Sequence, residues 1–308
     1  MNASAPQFTL AEHIGIWVKA ARAPFLVTSA IPAMLGGIIA FAHGSFDWTL
    51  FSVAFLGIIA AHTAADFIDD YFDYKNGNFA NKDQQFHDSP LVRGLITDKQ
   101  VFVAFLICIA LALASGLYIL LAVGMPILIL TAIGAFFVLF YTSPPLRLNF
   151  RGLGESSLFF AFGPMLVFGV YFVLTQSFNW SPILASIPVG IFVMNVGIVS
   201  NIFDHHDDVK NNKFTMPVKL GQARAVQILT VVTALAYLFL IGSVAFGFLP
   251  VWSLLALLTA PMSFKMVALA RNYHDLSQYQ AAMSQAIGVA TLGGLFMVIG
   301  YGIFILTQ

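Results

Sequence analysis

The chain alternates long apolar runs with polar connections. A helix needs about 20 mostly apolar residues to cross the hydrocarbon core of a bilayer. Such stretches fall near 24–43, 47–66, 101–123, 126–142, 157–176, 182–203, 226–247, 250–270 and 283–306. The pattern predicts an all-α polytopic membrane protein with nine transmembrane helices bundled as one unit. The short segments of alternating polarity that mark a β-barrel are missing. Connections at 44–46, 124–125, 177–181 and 248–249 are short and nearly uncharged, and they alternate with longer polar ones.

Composition narrows the class. Of 308 residues, 59% are hydrophobic and 9% charged, whereas a soluble domain carries about 25% charged residues. A single cysteine, Cys108, excludes a disulfide scaffold, and the absence of a basic excess excludes nucleic acid as a partner. Nothing calls for an obligate protein partner. The first 23 residues lack the small-residue cleavage site of a signal peptide, so the first apolar stretch is expected to remain.

Charge placement changes the picture more than charge count. The 14 basic residues balance 14 acids. Lys19 and Arg22 precede the first stretch; Lys75, Lys82, Arg93 and Lys99 follow the second; Arg147 and Arg151 follow the fourth. Lys210, Lys213, Lys219 and Arg224 follow the sixth, and Lys265 and Arg271 the eighth. All lie on one side, which the positive-inside rule makes cytoplasmic, with the N-terminus in. Of the acids only Asp47 lies on the other side. Acids contribute little to topology, so their clustering requires a chemical reason.

Two clusters stand out. After the second stretch, Asp66, Asp69 and Asp73 fall at i, i+3 and i+7, one face if the helix continues. After the sixth, Asn201, Asp204 and Asp208 repeat that spacing, and both segments contain Asp-x-x-Asp-Asp, starting at Asp66 and, 138 positions later, at Asp204. Helices 1–4 (about 14–142) and 5–8 (about 157–270) are therefore candidate repeats within a single 1–308 domain. Stacked carboxylates at a membrane boundary repel, and intramembrane carboxylates mark functional sites. A divalent cation removes the repulsion. All-oxygen ligation suits Mg²⁺, which keeps several waters and bridges to substrate phosphates. Asp66, Asp69, Asp73, Asp204 and Asp208 are the expected metal and catalytic carboxylates.

Basic residues beside the clusters fit a diphosphate: Lys75, Lys210 and Lys213 directly after the acids, with Arg22, Arg93, Arg147 and Arg151 at nearby helix ends. Individually each also fits a headgroup or topology role. His205 and His206 diverge by about 100° on a helix, so both cannot serve one metal beside Asp204 and Asp208. His62, one turn before Asp66, equally fits a satisfied polar residue between helices. Gly36-Gly37 and Gly293-Gly294 fit close helix approach.

These motifs resemble the UbiA-type intramembrane prenyltransferase superfamily. Asp66-x-x-Asp69-x-x-x-Asp73 is similar to its first motif, and Asp204-x-x-x-Asp208 followed by Asn212-Lys213-Phe-Thr215-Met-Pro217-Val-Lys-Leu-Gly221 to its second. Tyr141-Thr-Ser-Pro144-Pro145 agrees too. The stretch Asp70-Tyr-Phe-Asp73-Tyr-Lys-Asn-Gly77, with Ser89-Pro-Leu-Val-Arg93-Gly94 and Arg151-Gly-Leu-Gly154-Glu155, most resembles the menaquinone branch. That branch prenylates 1,4-dihydroxy-2-naphthoate with loss of its carboxylate. Three positions depart: Ala65 stands where the first motif has asparagine, Asp66 where this branch often has a second asparagine, and Asn212 where the second motif has glycine.

The resemblance implies a Mg²⁺-dependent enzyme of a bacterial inner membrane, its active site facing the cytoplasm. Polyprenyl diphosphate and an aromatic acceptor are the implied substrates, with Asn201 and the basic set as candidate contacts to them. Tyr141 is a candidate for stabilising an allylic cation, and equally fits an interfacial aromatic. Alternatives are another acceptor, such as a different aromatic acid or a lipid precursor, or a secondary transporter. Transporter sites lie near the bilayer midplane rather than at helix ends. The Asp-Gly-x-x-Ala-Arg signature of a CDP-alcohol phosphotransferase is absent.

Overall fold

The computed structural model describes residues 9–75, 77 and 89–308; Asn76 and Lys82 lie outside these. All regular elements among the described residues are helical. A short helix, α1 (Leu10–Ala20), opens on a capping box between Thr9 and Glu12. A 3₁₀ turn at Ala23–Phe25 leads into α2 (Val27–Ala42), followed by α3 (Trp48–Lys75), α4 (Asp98–Val123) and α5 (Pro126–Phe140). Next come α6 (Gly154–Thr175) and α7 (Trp180–Phe203). Two short helices, α8 (His205–Lys210) and α9 (Met216–Leu220), precede α10 (Gln222–Ala245), α11 (Val251–Arg271) and α12 (Tyr279–Leu306).

Among the described residues, eight helices are long and apolar enough to cross a membrane. The fourth predicted crossing, α5, has 15 residues and falls short of that length. It ends at Phe140 because the chain turns ahead of Pro144 and Pro145, which cannot continue a helix. Conversely, α3 runs 28 residues, well past the apolar stretch, and carries the first acid cluster on its last turns. Asp47, the lone acid at the opposite end, accepts a hydrogen bond from Leu50 N at 2.8 Å and so caps α3.

Helices α2, α6, α7, α10, α11 and α12 pack tightly around two contiguous apolar cores. Lipid offers no hydrophobic drive between helices, so close backbone approach takes its place. A Cβ on Gly36 would lie 2.4 Å from the Val167 carbonyl, and one on Gly293 would overlap the Phe192 ring at 2.7 Å. On the other side, α3, α4 and α5 are held by smaller clusters. A cavity of about 480 Å³ opens between the two sides. Its wall includes Ala161, Phe162 and Met165, which belong to a single π turn of α6 around Pro164. Such turns re-aim side chains at functional sites.

Candidate active site

Because α3 stays helical to Lys75, Asp66, Asp69 and Asp73 share one face, and all three line the cavity. Asp70, one position off that face, turns into the protein. It is 3% exposed, takes the Arg22 guanidinium on one oxygen and the Ser89 hydroxyl on the other at 3.2 Å. Arg22 also reaches Asp69 Oδ2 at 3.6 Å and lines the cavity itself. Burial works to lower the Arg22 pKa, but Asp70, Asp66 and Asp69 outweigh it and hold the guanidinium firmly charged.

The second cluster is less regular than its spacing suggests. Helix α7 stops at Phe203, the regular helix is interrupted at Asp204, and α8 resumes at His205. Asp204 lines the cavity, its Oδ2 accepting from Ser200 Oγ at 3.0 Å and Tyr279 Oη at 3.1 Å. Asp208 sits behind the wall, 2% exposed. Its Oδ2 accepts from Thr215 Oγ1 at 3.0 Å, and its Oδ1 lies 3.5 Å from Lys213 Nζ. Lys213 is what reaches the cavity. Burial acts to lower its pKa, yet Asp208, Asp73 and Asp204 hold the ammonium above its ordinary range.

The loop that presents Lys213 explains one departure from the family pattern. Asn212 has φ +53°, in the left-handed region. Glycine enters that region freely, and asparagine is among the few other residues that do so. Ala65 and Asp66, the other departures, both line the cavity. The loop is tied down by Phe214 N to Phe150 O at 3.1 Å and by Met216 N to Glu155 Oε1 at 3.3 Å. The same Glu155 oxygen receives Asn201 Nδ2 at 2.9 Å.

The remaining predicted residues are dispersed. Tyr141 lines the cavity, and burial raises the pKa of its phenol, keeping it protonated. Lys75 is exposed and pairs with Asp98, while Lys210 is exposed, 3.7 Å from Asp207. Arg93 is exposed, and Arg147 lies 5.3 Å from the Phe150 ring centroid; neither is part of the cavity wall. His205 and His206 are likewise outside it. His62 is inside, bonded through Nδ1 to Ser29 Oγ at 2.8 Å, with Nε2 3.8 Å from Asp66 Oδ2. Sequence reasoning gave no role to Glu155, Thr215, Ser200 or Tyr279. Glu155 and Thr215 carried a signal, since both stand in the segments that resemble the family.

The donor set fits a hard cation. Asp66 Oδ2 and Asp69 Oδ1 are buried without hydrogen-bond partners, and buried carboxylate oxygens otherwise find donors. Among the described residues no three acid, histidine or cysteine side chains are drawn close enough to enclose an ion alone. A Mg²⁺ bound there would therefore take the rest of its shell from water and substrate oxygens.

Fold and site define an intramembrane helical protein with a carboxylate-lined cavity mouth flanked by two cations. Residues 29–304 match the UbiA prenyltransferase family, and the chain belongs to it. It is a prenyltransferase and an integral membrane protein. The 2-carboxy-1,4-naphthoquinone phytyltransferase of Synechocystis sp. is 26% identical over 289 residues, covering 93% of each chain. The 1,4-dihydroxy-2-naphthoate octaprenyltransferase of Bacillus subtilis is 25% identical, over 89% of this chain and 88% of that one. The fold matches a UbiA homologue from Archaeoglobus fulgidus solved with DMAPP and Mg²⁺. There the TM-score is 0.55 and the identity 15%, with 90% of this chain and 98% of that one covered.

Proposed function

We propose that the enzyme transfers a polyprenyl group from a polyprenyl diphosphate to 1,4-dihydroxy-2-naphthoate, with Mg²⁺, at the cytoplasmic face of a bacterial inner membrane. The observation that carries this reading is the pair of buried oxygens on Asp66 and Asp69 that lack hydrogen-bond partners, in a cavity also lined by Arg22 and Lys213. The names of the two relatives, each aligned over most of its length, support the acceptor.

Asp66 and Asp69 would hold Mg²⁺ directly and Asp204 through water, with Asp73 lining the same cavity. When bound, the ion supplies Lewis-acid neutralisation of charge on the leaving diphosphate. Arg22 and Lys213 add fixed positive charge at the same mouth. As the allylic C–O bond breaks, the Tyr141 ring offers its face to the developing cation. The apolar wall excludes the water that would quench it. The acceptor ring carbon then bonds to the allylic carbon, and its carboxylate leaves as carbon dioxide.

The test incubates membranes containing the protein with labelled farnesyl or longer diphosphate, Mg²⁺ and a panel of acceptors. A prenylated, decarboxylated naphthoquinol is the expected product. Product with another aromatic acid and none with dihydroxynaphthoate would overturn the acceptor assignment.

A further inference from the structure

The cavity is longer than the chemistry needs. Its polar mouth lies at Asp69, and its wall follows α3 down to Ala54. Fifteen residues of one continuous helix separate them, about 22 Å at 1.5 Å per residue. At that depth Ala54, Ile119, Ile127 and Val173 meet, one each from α3, α4, α5 and α6. They are 5%, 7%, 5% and 4% exposed and form a cluster of their own. The cavity thus ends on a closed apolar floor.

Above the floor one wall position is unusually open. Gly57, Gly116, Gly134 and Gly169 all line the cavity. A Cβ on Gly57 would strike Ser115 at 2.6 Å, so that glycine serves helix packing; Gly116 and Gly134 have neighbours at 3.4 and 3.7 Å. A Cβ on Gly169 would meet nothing within 4 Å. Gly169 continues the helical stripe of Phe162, Met165, Leu166 and Val173 that faces the void. Glycine inside a helix costs about 1 kcal/mol relative to alanine, and no close packing accounts for it here. What it leaves is room.

We propose that this floor and the opening at Gly169 measure the donor's tail, so that they set the longest prenyl chain the enzyme accepts. The inference rests on a polyprenyl diphosphate being the donor. With the diphosphate held at the acidic mouth, the tail has one deep apolar path, and it ends at these four side chains. Leu113 marks the rival path. It lines the cavity while 55% exposed, so a tail could leave sideways between α4 and α5.

The test uses the purified full-length protein with Mg²⁺ and a series of prenyl diphosphates from geranyl upward. Thermal stabilisation by each donor, which needs no acceptor, is read beside turnover. G169L should shift the kcat/KM ratio of long to short donors toward short ones by about tenfold, with a parallel loss of stabilisation by the long donors. I119A, which lowers the floor, should move the ratio the other way. If G169L does not fold, I119A alone decides the sign. An unchanged ratio in both variants overturns the ruler, and a shift produced by L113W instead assigns the tail to the lateral path. Absence of stabilisation of the wild-type protein by every donor would overturn the donor reading, and the ruler with it.

Discussion

Asn201 on α7 donates its side-chain amide to the buried carboxylate of Glu155 on α6, 2.9 Å away. Because the same Glu155 oxygen takes Met216 N at 3.3 Å, one carboxylate joins two membrane helices to the loop that carries Lys213. Removing it strands a buried amide and a backbone N–H. E155A should cost about 1–3 kcal/mol and lower turnover. E155Q keeps an accepting oxygen and should lose less of both. Thermal unfolding in detergent and initial rates measure the pair. Equal behaviour of E155A and the wild type would show that the loop is held elsewhere.

Asn212 makes a sharper test of the same loop. Its φ of +53° costs a β-branched residue roughly 1–2 kcal/mol, and a strained turn displaces Lys213 from the mouth. N212G should keep wild-type turnover and stability. N212V should lose both, and its KM for prenyl diphosphate should rise with the loop's displacement. Indistinguishable kinetics for N212V would separate loop geometry from catalysis.

The ion pairs divide by burial. Asp70 is 4% exposed in its pair with Arg22, and breaking such a pair leaves a charge with fewer partners at a cost of about 3–5 kcal/mol. Lys75 is 47% exposed in its pair with Asp98, where such contacts contribute about 0.2–1 kcal/mol. D70A should therefore destabilise strongly, while K75A should leave the melting temperature and the KM for prenyl diphosphate close to wild type. A large rise in KM for K75A would return Lys75 to the diphosphate site.

That contrast shows what the sequence could and could not carry. Apolar length located eight membrane helices among the described residues, because the bilayer sets a minimum length, while the fourth predicted crossing, α5, falls short of it. Acid spacing located the wall formed by α3, because a continuing helix turns Asp66, Asp69 and Asp73 to one side. At the end of α7 the regular helix is interrupted at Asp204, and Asp208, 3.5 Å from Lys213, is not part of the cavity wall. Proximity in sequence failed for cations: Lys75, Lys210 and Lys213 each follow acids, and only Lys213 reaches the cavity. Direction of a side chain past a helix end depends on the turn, and residue spacing does not encode it. Glu155 and Tyr279 act through partners 61 and 75 positions away, a relation visible only in three dimensions.

The carboxylates at the mouth give the last prediction. Asp69 presents a buried oxygen with no hydrogen-bond donor, and Asp204 is oriented by Ser200 and Tyr279. Chelation should abolish turnover, and added Mg²⁺ should restore it. D69N keeps size and removes charge, so it should raise the Mg²⁺ concentration for half-maximal rate about tenfold or more, since ligand charge sets affinity for hard cations. Y279F keeps the Asp204 charge and loses one orienting bond, worth about 1 kcal/mol, so its Mg²⁺ requirement should rise by a smaller factor. The ordering separates the roles: a ligand moves the Mg²⁺ curve more than the residue that aims a ligand. If Y279F moved it as far as D69N, Tyr279 would belong to the binding site itself. If neither moved it, the metal would have to be held by other residues.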